Sequence, residues 1–347
     1  MTRRPATTSI ATVSQLRCPR IARPSPARYP VPMESRSLRT LVGGLIDYAG
    51  LFPPAKLDMA PAAEAYARAI RGEHEWLLSR LVCPAARLAE LGAAAASMMP
   101  GTNATSGYRE HATIGEPWRI SALVEKPDDL ELIHRFNEAH AREDAGQAIV
   151  DVVEVKVAKA DDVDSMLDQI PEDIFPFFEV PPADQLPGGD PRGFLAALAG
   201  NTCGAKIRTG GLAATAFPTP LAVGEFMVAC RNCEIPFKAT AGLHHPVRGD
   251  FRLTYDKDSP SCTMHGFLNV FVAGCFVFTQ GIRAEDAAQV LSETDPKSFI
   301  CTDQGLTWRN HVLDITEIAR TREAFALTFG SCSFDEPIED LKRLGLL

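Results

Sequence analysis

The sequence predicts a single (β/α)8 barrel, a closed ring of parallel strands in which each strand is followed by a helix. Two observations predict this fold. Short apolar runs alternate with amphipathic segments about eight times along the chain. The composition, 46% hydrophobic and 23% charged over 347 residues, is typical of a globular protein with one large domain. A doubly wound open sheet is the alternative, although the chain lacks the G-x-G-x-x-G and G-x-x-x-x-G-K-[ST] motifs of its nucleotide-binding forms.

The first 32 residues are predicted to be a disordered basic tail. They contain six arginines and no acidic residue, and they lack the hydrophobic periodicity that a buried core requires. Two alternatives stay open, a transit peptide and a true start at Met33, which directly precedes the first periodic segment. The barrel domain is therefore assigned to residues 33–347.

The first half of the barrel domain contains four strand–helix units. Alternating or continuous apolar runs predict the strands, and apolar residues at helical spacing predict the helices. The predicted strands cover residues 41–52, 76–83, 118–125 and 148–158. The predicted helices cover residues 59–71, 85–98, 128–142 and 161–170.

The second half contains two similar runs, residues 204–211 and 236–245, in which a short apolar strand carries one lysine and ends in Thr and Gly. An amphipathic helix, residues 221–233, separates them, and a strand over 174–180 precedes them. Residues 247–261 are predicted to be a loop, and residues 266–278 a buried helix too short to span a bilayer. Two segments are candidates for the eighth strand, residues 299–308 and residues 326–331. Helices are predicted over 315–324 and near the C-terminus.

Strand alternation predicts which side chains point into the barrel. In the fourth strand Val153 and Val155 suit the helix layer, so the residues between and beside them face inward. The same rule applied to strands five, six and seven turns charge inward near the carboxyl ends, where barrel active sites lie. The inward charged set is Glu154, Lys156, Glu179, Lys206, Arg208 and Lys238. Because buried ion pairs add little net stability, this concentration of charge favours a functional pocket over a structural one.

Residues around the ends of the sixth and seventh strands are candidates for holding a substrate. Glycines there let the backbone approach an anion, with tight turns as the alternative, and an arginine can clamp a carboxylate or phosphate. The substrate-binding candidates are Arg208, Thr209, Gly210, Gly211, Thr240, Gly242, His244, His245, Lys156 and Asp47. The partner we expect is a small anionic metabolite.

Charge and cysteine usage exclude other classes of partner. The net charge of −9 argues against nucleic acid, and no segment suits a membrane span. Nine cysteines without paired spacings predict reduced thiols and a cytoplasmic protein. We expect no cofactor. A divalent metal held by His244, His245 and Glu179 is the alternative. The sequence leaves open whether the chain forms a homo-oligomer.

Five phrases resemble those of a bacterial β/α-barrel family of unassigned function. They are K-I-R-T-G-G from Lys206, F-K-A-T-A-G-L-H-H from Phe237, H-G-F-L-N from His265, L-I-D-Y-A-G-L-F-P-P from Leu45 and F-G-S-C-S-F-D-E-P from Phe329. Together they span the chain from about residue 41 to the C-terminus. The resemblance implies the barrel and names no reaction.

The layout also resembles, more faintly, class I deoxyribose-phosphate aldolases. That family has a Schiff-base lysine in strand six within K-T-S-T-G, a second lysine in strand seven and an acid on strand four. The resemblance implies Lys206 as the first lysine, Lys238 as the second, and Glu154 or Asp151 as the acid. This chain departs from the pattern, because Ile207 and Arg208 replace the small polar pair and His244-His245 stands where the family has a phosphate-binding turn.

Three hypotheses for function follow. The first is a lyase or aldolase that forms an imine on Lys206, with the Lys238 ammonium favouring the deprotonated nucleophile, Glu154 moving protons and Arg208 holding the substrate anion. The second is a metal-dependent isomerase or hydrolase using His244, His245 and Glu179, with Asp47 as a further ligand. The third is a barrel that binds a small anion without turnover.

Overall fold

The computed structural model describes residues 34–101, 116–141, 146–186 and 188–347, so the predicted tail at 1–32 lies outside the described residues. Eight parallel strands close into a barrel, which confirms the predicted fold. The first seven are β1 (Ile46–Tyr48), β2 (Leu78–Pro84), β3 (Trp118–Val124), β4 (Ala148–Val155), β5 (Phe175–Glu179), β6 (Gly204–Arg208) and β7 (Phe237–Thr240). Consecutive strands are neighbours throughout this series.

The remaining strands settle the position of the eighth barrel strand. After β7 come a hairpin of β8 (Gly249–Arg252) and β9 (Ser261–Met264), and then an antiparallel sheet of β10 (Phe299–Cys301), β11 (Gly305–Trp308) and β12 (His311–Asp314). The last strand, β13 (Ala326–Ser331), pairs in parallel with both β7 and β1 and closes the barrel. Residues 299–308 are therefore not the eighth strand. The prediction of a plain loop over 247–261 was also wrong, since β8 and the start of β9 lie there.

Eleven helices flank the strands in the described part of the chain. They are α1 (Arg36–Val42), α2 (Met59–Ala69), α3 (Leu88–Ala95), α4 (Asp129–His140), α5 (Asp162–Leu167), α6 (Arg192–Leu198), α7 (Pro220–Asn232), α8 (Phe267–Gln280), α9 (Ala284–Leu291), α10 (Ile315–Ala324) and α11 (Asp335–Arg343). The helix α1 was not predicted, and it takes the first residues of the segment expected to be a strand. Within the described ranges, no helix has the length and apolar character needed to cross a membrane.

Two separate apolar clusters show how the strands divide inside from outside. The large cluster lies between strands and helices and includes Val153, Val155 and Phe178. The small cluster, inside the barrel, consists of Val152, Phe175 and Phe177 with Leu327 packed against them. Phe177 and Phe178 are sequence neighbours in different clusters, as the alternation of a strand requires. The interior therefore has only a small apolar filling, and polar side chains occupy the rest.

Replacing Phe237 with alanine is expected to destabilise the barrel. The ring of Phe237 is fully buried and packs edge-on against Phe226 and Phe325, with Phe271 stacked beside it. A cavity at such a site costs about 3–5 kcal/mol of unfolding free energy. Urea unfolding measures this loss. The matched control is Ile300→Ala, because Ile300 is 54% exposed and its truncation should change stability by less than about 0.5 kcal/mol.

Candidate active site

Two lysines and three carboxylates form an ion-pair ring inside the barrel. Lys238 on β7 is 1% exposed, and its Nζ lies 2.7 Å from Asp47 Oδ2 and 2.5 Å from Glu154 Oε1. Lys206 on β6 is 5% exposed, and its Nζ lies 3.2 Å from Glu154 Oε2 and 2.8 Å from Glu179 Oε2. Glu154 on β4 therefore uses one oxygen for each lysine.

The strand register explains why these side chains meet. Lys206 and Lys238 are directly paired across β6 and β7, and Glu179 is paired with Lys206 across β5 and β6. Residues paired in this way point to the same side of the sheet. Asp47 reaches Lys238 from β1, across the neighbouring strand β13. The ring thus draws its members from β1, β4, β5, β6 and β7.

A second charged layer lies toward the amino ends of the strands. Asp151 accepts hydrogen bonds from Arg80 Nε and Nη2, at 2.7 and 2.9 Å, and is also paired with Arg119. The Asp47 carboxylate links the layers, because its Oδ1 accepts from the Arg80 backbone N–H at 3.2 Å. Four carboxylates and four cations then balance formally: Asp47, Asp151, Glu154 and Glu179 against Arg80, Arg119, Lys206 and Lys238.

Neutral hydroxyl groups satisfy the remaining acceptor positions of the ring. Ser121 Oγ donates to Glu154 Oε1 at 2.8 Å, and Thr328 Oγ1 donates to Asp47 Oδ2 at 2.7 Å. Both hydroxyl-bearing residues are buried. A buried carboxylate needs such partners, because each unpaired oxygen would lose its hydration without compensation.

The electrostatics keep Glu154 and Lys238 ionised. Burial raises the pKa of Glu154, but the Lys238 and Lys206 ammoniums, with hydrogen bonds from Lys238 and Ser121, hold it at about 2. Burial lowers the pKa of Lys238, and the carboxylates of Asp47 and Glu154 outweigh burial, so this pKa is raised. The sequence-based expectation had Glu154 and Asp47 in the site but treated the two amines as repelling each other, without the ion pairs of Lys238 with both carboxylates that the structure shows. Lys238 is a locked cation rather than a free amine.

The two remaining cations of the predicted inward set lie at the rim. Arg208, the last residue of β6, is exposed, and so is Lys156, directly after β4. Neither has an ion-pair partner among the residues that the structure describes. Arg208 is paired with Thr240 across β6 and β7, so it lies on the same side of the sheet as Lys206, but it and Lys156 are open to solvent and not buried with the other charges. Their position suits a substrate that approaches from solvent.

The glycines expected to cradle an anion instead make room for an aromatic ring. A Cβ on Gly210 would lie 2.5 Å from the Phe217 ring, and a Cβ on Gly242 would lie 2.7 Å from it. Gly242 also has a positive φ of 73°. A Cβ on Gly211 would lie 2.8 Å from the Ala216 Cβ. These glycines serve close packing of the rim loops, because Phe217 or Ala216 fills the space that a side chain would need.

The two threonines near the rim differ in exposure. Thr209 is fully buried, and its hydroxyl donates to the Ala241 carbonyl at 2.7 Å, which ties the loop after β6 to the loop after β7. Thr240 is half-buried at the end of β7. Thr209 therefore positions the rim, whereas Thr240 faces the same side of the sheet as Lys238, two residues earlier.

His244 and His245 bind two different carboxylates. His244 Nδ1 lies 3.3 Å from Glu336 Oε2, and His245 Nδ1 lies 2.6 Å from Asp340 Oδ2 while its ring stacks on Phe251. Glu179 is engaged with Lys206. The described residues contain no group of three or more His, Cys, Asp or Glu side chains suited to a metal ion. The structure does not bring the three alternative metal ligands together.

Strand alternation, as applied in the sequence analysis, missed several residues of the site. Arg80 and Arg119 each lie in strands whose charges were not assigned to a face, and Asp151 lies next to an irregularity in the pairing of β3 with β4. Inward alternation applied to β2 and β3 would have found Arg80 and Ser121. Alternation cannot show that Asp151 pairs with both arginines while Glu154 takes the lysines.

Comparison of the chain with protein-family models, with curated proteins and with solved structures found no match. The assignment of function therefore rests on the geometry of the site.

Acid is expected to destabilise the protein through Glu154. The pKa of this carboxyl is depressed in the folded state, so its stabilising contribution is complete above the unfolded value of about 4.5 and is lost as the pH falls toward about 2. The loss is on the order of 3 kcal/mol. Chemical unfolding at a series of pH values measures it. In Glu154→Gln the stability should be lower at pH 7 and should fall less between pH 4.5 and 2.

Removing the Lys238 charge is expected to destabilise the fold strongly. The variant Lys238→Met keeps most of the side-chain volume but leaves Asp47 and Glu154 without their shared cation, which costs about 3–5 kcal/mol. Thermal and urea unfolding check the size of the loss. The matched control is Lys156→Met, an exposed lysine directly after β4, which should change stability by less than about 0.5 kcal/mol. Equal effects of the two substitutions would contradict the ring as described.

Proposed function

We propose that this barrel is an enzyme of the lyase class that forms an imine between Lys206 and an anionic carbonyl substrate. One observation carries the proposal: Glu154 bridges a lysine on β6 and a lysine on β7, with one carboxylate oxygen for each. The bridging acid is Glu154 and not Asp151, which is held by two arginines. An acid on strand four beside lysines on strands six and seven is also the layout of the aldolase resemblance.

The distances favour Lys206 over Lys238 as the nucleophile. Glu154 lies 2.5 Å from Lys238 Nζ and 3.2 Å from Lys206 Nζ, so its charge is committed mainly to Lys238. Lys206 then depends on Glu179, whose side chain is 14% exposed, the most accessible carboxylate of the ring. A lysine must lose a proton before it can attack a carbonyl carbon. Glu179, 2.8 Å away, is the nearest acceptor for that proton.

The reaction is then a sequence of balanced steps. Lys206 gives a proton to Glu179, and its free amine attacks the carbonyl carbon to form a carbinolamine. The acid returns a proton to the hydroxyl, which leaves as water, and the carbon–nitrogen double bond forms as a cationic imine. When a base removes the proton of a β-hydroxyl group, the carbon–carbon bond breaks, its electron pair passes to the cation to give an enamine on Lys206, and the β-carbon leaves as an aldehyde or ketone. Glu154, held next to Lys206 by Ser121 and Lys238, is placed to act as that base. Protonation of the enamine and hydrolysis of the resulting imine by water release the second product and regenerate the lysine.

The rim favours a substrate that carries a negative charge. Arg208 and Lys156 flank the end of β5, which bears Glu179, and both are exposed. An arginine can bind a carboxylate or phosphate through two parallel hydrogen bonds. A carbonyl compound held by its anionic group at Arg208 would place its reactive carbon deeper, on the side of Lys206. This arrangement supports an anionic aldehyde or ketone.

Borohydride reduction is expected to trap the substrate on Lys206. Each of a panel of 2-oxo acids and phosphorylated aldehydes is incubated with the protein and reduced, and the adduct is located by peptide mass spectrometry. Reduction makes the imine permanent, so the adduct should appear on Lys206 and be absent from Lys206→Met. Folding of the variant is verified by its unfolding transition.

The outcomes separate the competing functions. No adduct on Lys206 across the panel would sink the imine mechanism. Stabilisation by a panel compound that is neither bound covalently nor consumed would support a non-catalytic anion-binding barrel. Activity that appears only with an added divalent ion would support the metal-dependent alternative.

Arg208→Met is expected to weaken substrate binding without weakening the fold. The side chain is exposed and has no ion-pair partner in the described part of the chain, so its loss costs little unfolding free energy. Loss of a charge-assisted contact should raise the KM for an anionic substrate about tenfold or more. Steady-state kinetics with the panel compound that gives the Lys206 adduct measures this change. A neutral analogue of the same compound cannot use the contact, so its KM should be the same in Arg208→Met as in the unchanged protein.

A further inference from the structure

A cluster of four titratable side chains lies at the rim beside the ion-pair ring but shares no member with it. Cys332 directly follows β13, and its Sγ lies 3.9 Å from His244 Nδ1 and 3.5 Å from the Tyr255 hydroxyl. Glu336 on α11 contacts both neighbours, since its Oε2 lies 3.3 Å from His244 Nδ1 and 3.3 Å from the Tyr255 hydroxyl. The mechanism proposed above uses none of these four groups.

Cys332 and Glu336 form a fork around one ring nitrogen, Nδ1 of His244. Cys332 and Glu336 both approach Nδ1 of His244, so the proton on that nitrogen lies between a sulfur and a carboxylate. A nucleophile–base–acid relay would instead use the two ring nitrogens in turn. The fork holds a positive imidazolium next to the thiol, an arrangement that favours the thiolate.

The electrostatics agree with this geometry. Burial lowers the pKa of His244, but hydrogen bonds to Cys332 and Glu336 raise it to about 9. Burial raises the pKa of Cys332, and the hydrogen bond and charge of His244, with contacts from Tyr255 and the Ala55 backbone, bring it below its ordinary value. Other thiols behave in the opposite way. Burial raises the pKa of Cys83, Cys203 and Cys275 to about 12.

Access to the sulfur is narrow. Cys332 is only 5% exposed, and Tyr255, from the segment between β8 and β9, covers it with a hydroxyl while being 57% exposed itself. A reagent that reaches this sulfur in the folded protein must therefore be small. A proton donor is already in place, because His244 Nδ1 lies beside the sulfur. These two features suit a reaction in which a small molecule is split and its leaving group protonated.

We propose that Cys332 is a reactive thiolate site, activated by His244, that is oxidised by small hydroperoxides to a sulfenic acid. The thiolate sulfur attacks one peroxide oxygen, and the sulfur–oxygen bond forms as the oxygen–oxygen bond breaks. The departing hydroxide, or the alkoxide of an alkyl hydroperoxide, takes the Nδ1 proton of His244 and leaves as water or an alcohol. Sulfur is oxidised and the peroxide is reduced, with the peroxide as the only co-reactant. The inference rests on contacts of Cys332 and is independent of the imine proposal.

The test is competitive labelling of all cysteines in the full chain. The reduced protein is treated with hydrogen peroxide at pH 7 for a series of times and is then unfolded in dimedone, which traps the sulfenic acids already formed, and each cysteine is quantified by peptide mass spectrometry. We expect Cys332 to be labelled fastest. Cys233 and Cys262 are internal references, because both are more exposed than Cys332. Labelling ordered by exposure alone, with either reference ahead of Cys332, would overturn the proposal.

Two variants test the role of the fork. His244→Gln should slow the labelling of Cys332 about tenfold, as expected when thiolate stabilisation is lost, while leaving Cys262 unchanged. Tyr255→Phe keeps the exposed ring and removes one hydroxyl, so it should slow Cys332 by about threefold. If His244→Gln does not fold, the Tyr255→Phe result decides the role of the fork. An unchanged Cys332 rate in either folded variant contradicts activation by these neighbours.

Discussion

One carboxylate, Glu154, holds the polar interior of this barrel together. Its oxygens reach two lysines on different strands and a serine hydroxyl on a third, so the positions of β3, β4, β6 and β7 are coupled through one side chain. Most barrels fill their interior with layers of branched apolar residues. Here the apolar filling is small, and charge pairing takes its place. Such an interior tolerates no unmatched group, because an unpaired buried charge costs several kcal/mol.

The fold was largely readable from the sequence because a barrel is a repeated local pattern. In each strand–helix unit the hydrophobic period changes from that of a strand to that of a helix, and the number of units, about eight, indicates a closed barrel. The errors fell where local patterns coincide. Apolar residues at 38–42 fit both the buried face of α1 and the start of a strand, and residues 299–308 have the strand composition of β10 and β11. Only tertiary pairing shows that those strands are antiparallel and outside the barrel.

For the site, the sequence predicted the direction of each side chain but not its partners. Alternation turned Glu154, Lys206 and Lys238 to the same side, and they do meet. It gave no account of which acid would find which base, since that depends on how the strands are staggered around the ring. Glu336 shows a similar limit. Its spacing from Ser333 indicates a capping box, and Ser333 Oγ does accept from the Glu336 backbone, but the Glu336 carboxylate turns to His244. Long-range contact overrode a local signal.

The two lysines of the ring differ in burial and in the length of their ion pairs. Arg80, Arg119 and Asp151 lie on one side of them, toward the amino ends of the strands, and Arg208 lies on the other side, open to solvent, while Lys238 is 1% exposed and Lys206 5%. Lys238 has two carboxylate partners, at 2.5 and 2.7 Å, and they keep it charged. Lys206 also has two, but at 2.8 and 3.2 Å, so its ammonium is held less tightly, and it lies closer to solvent. The proposed nucleophile must release a proton and bond to a substrate, so it has to be loosely paired yet still shielded from water, and Lys206 is the lysine of the ring that meets both conditions.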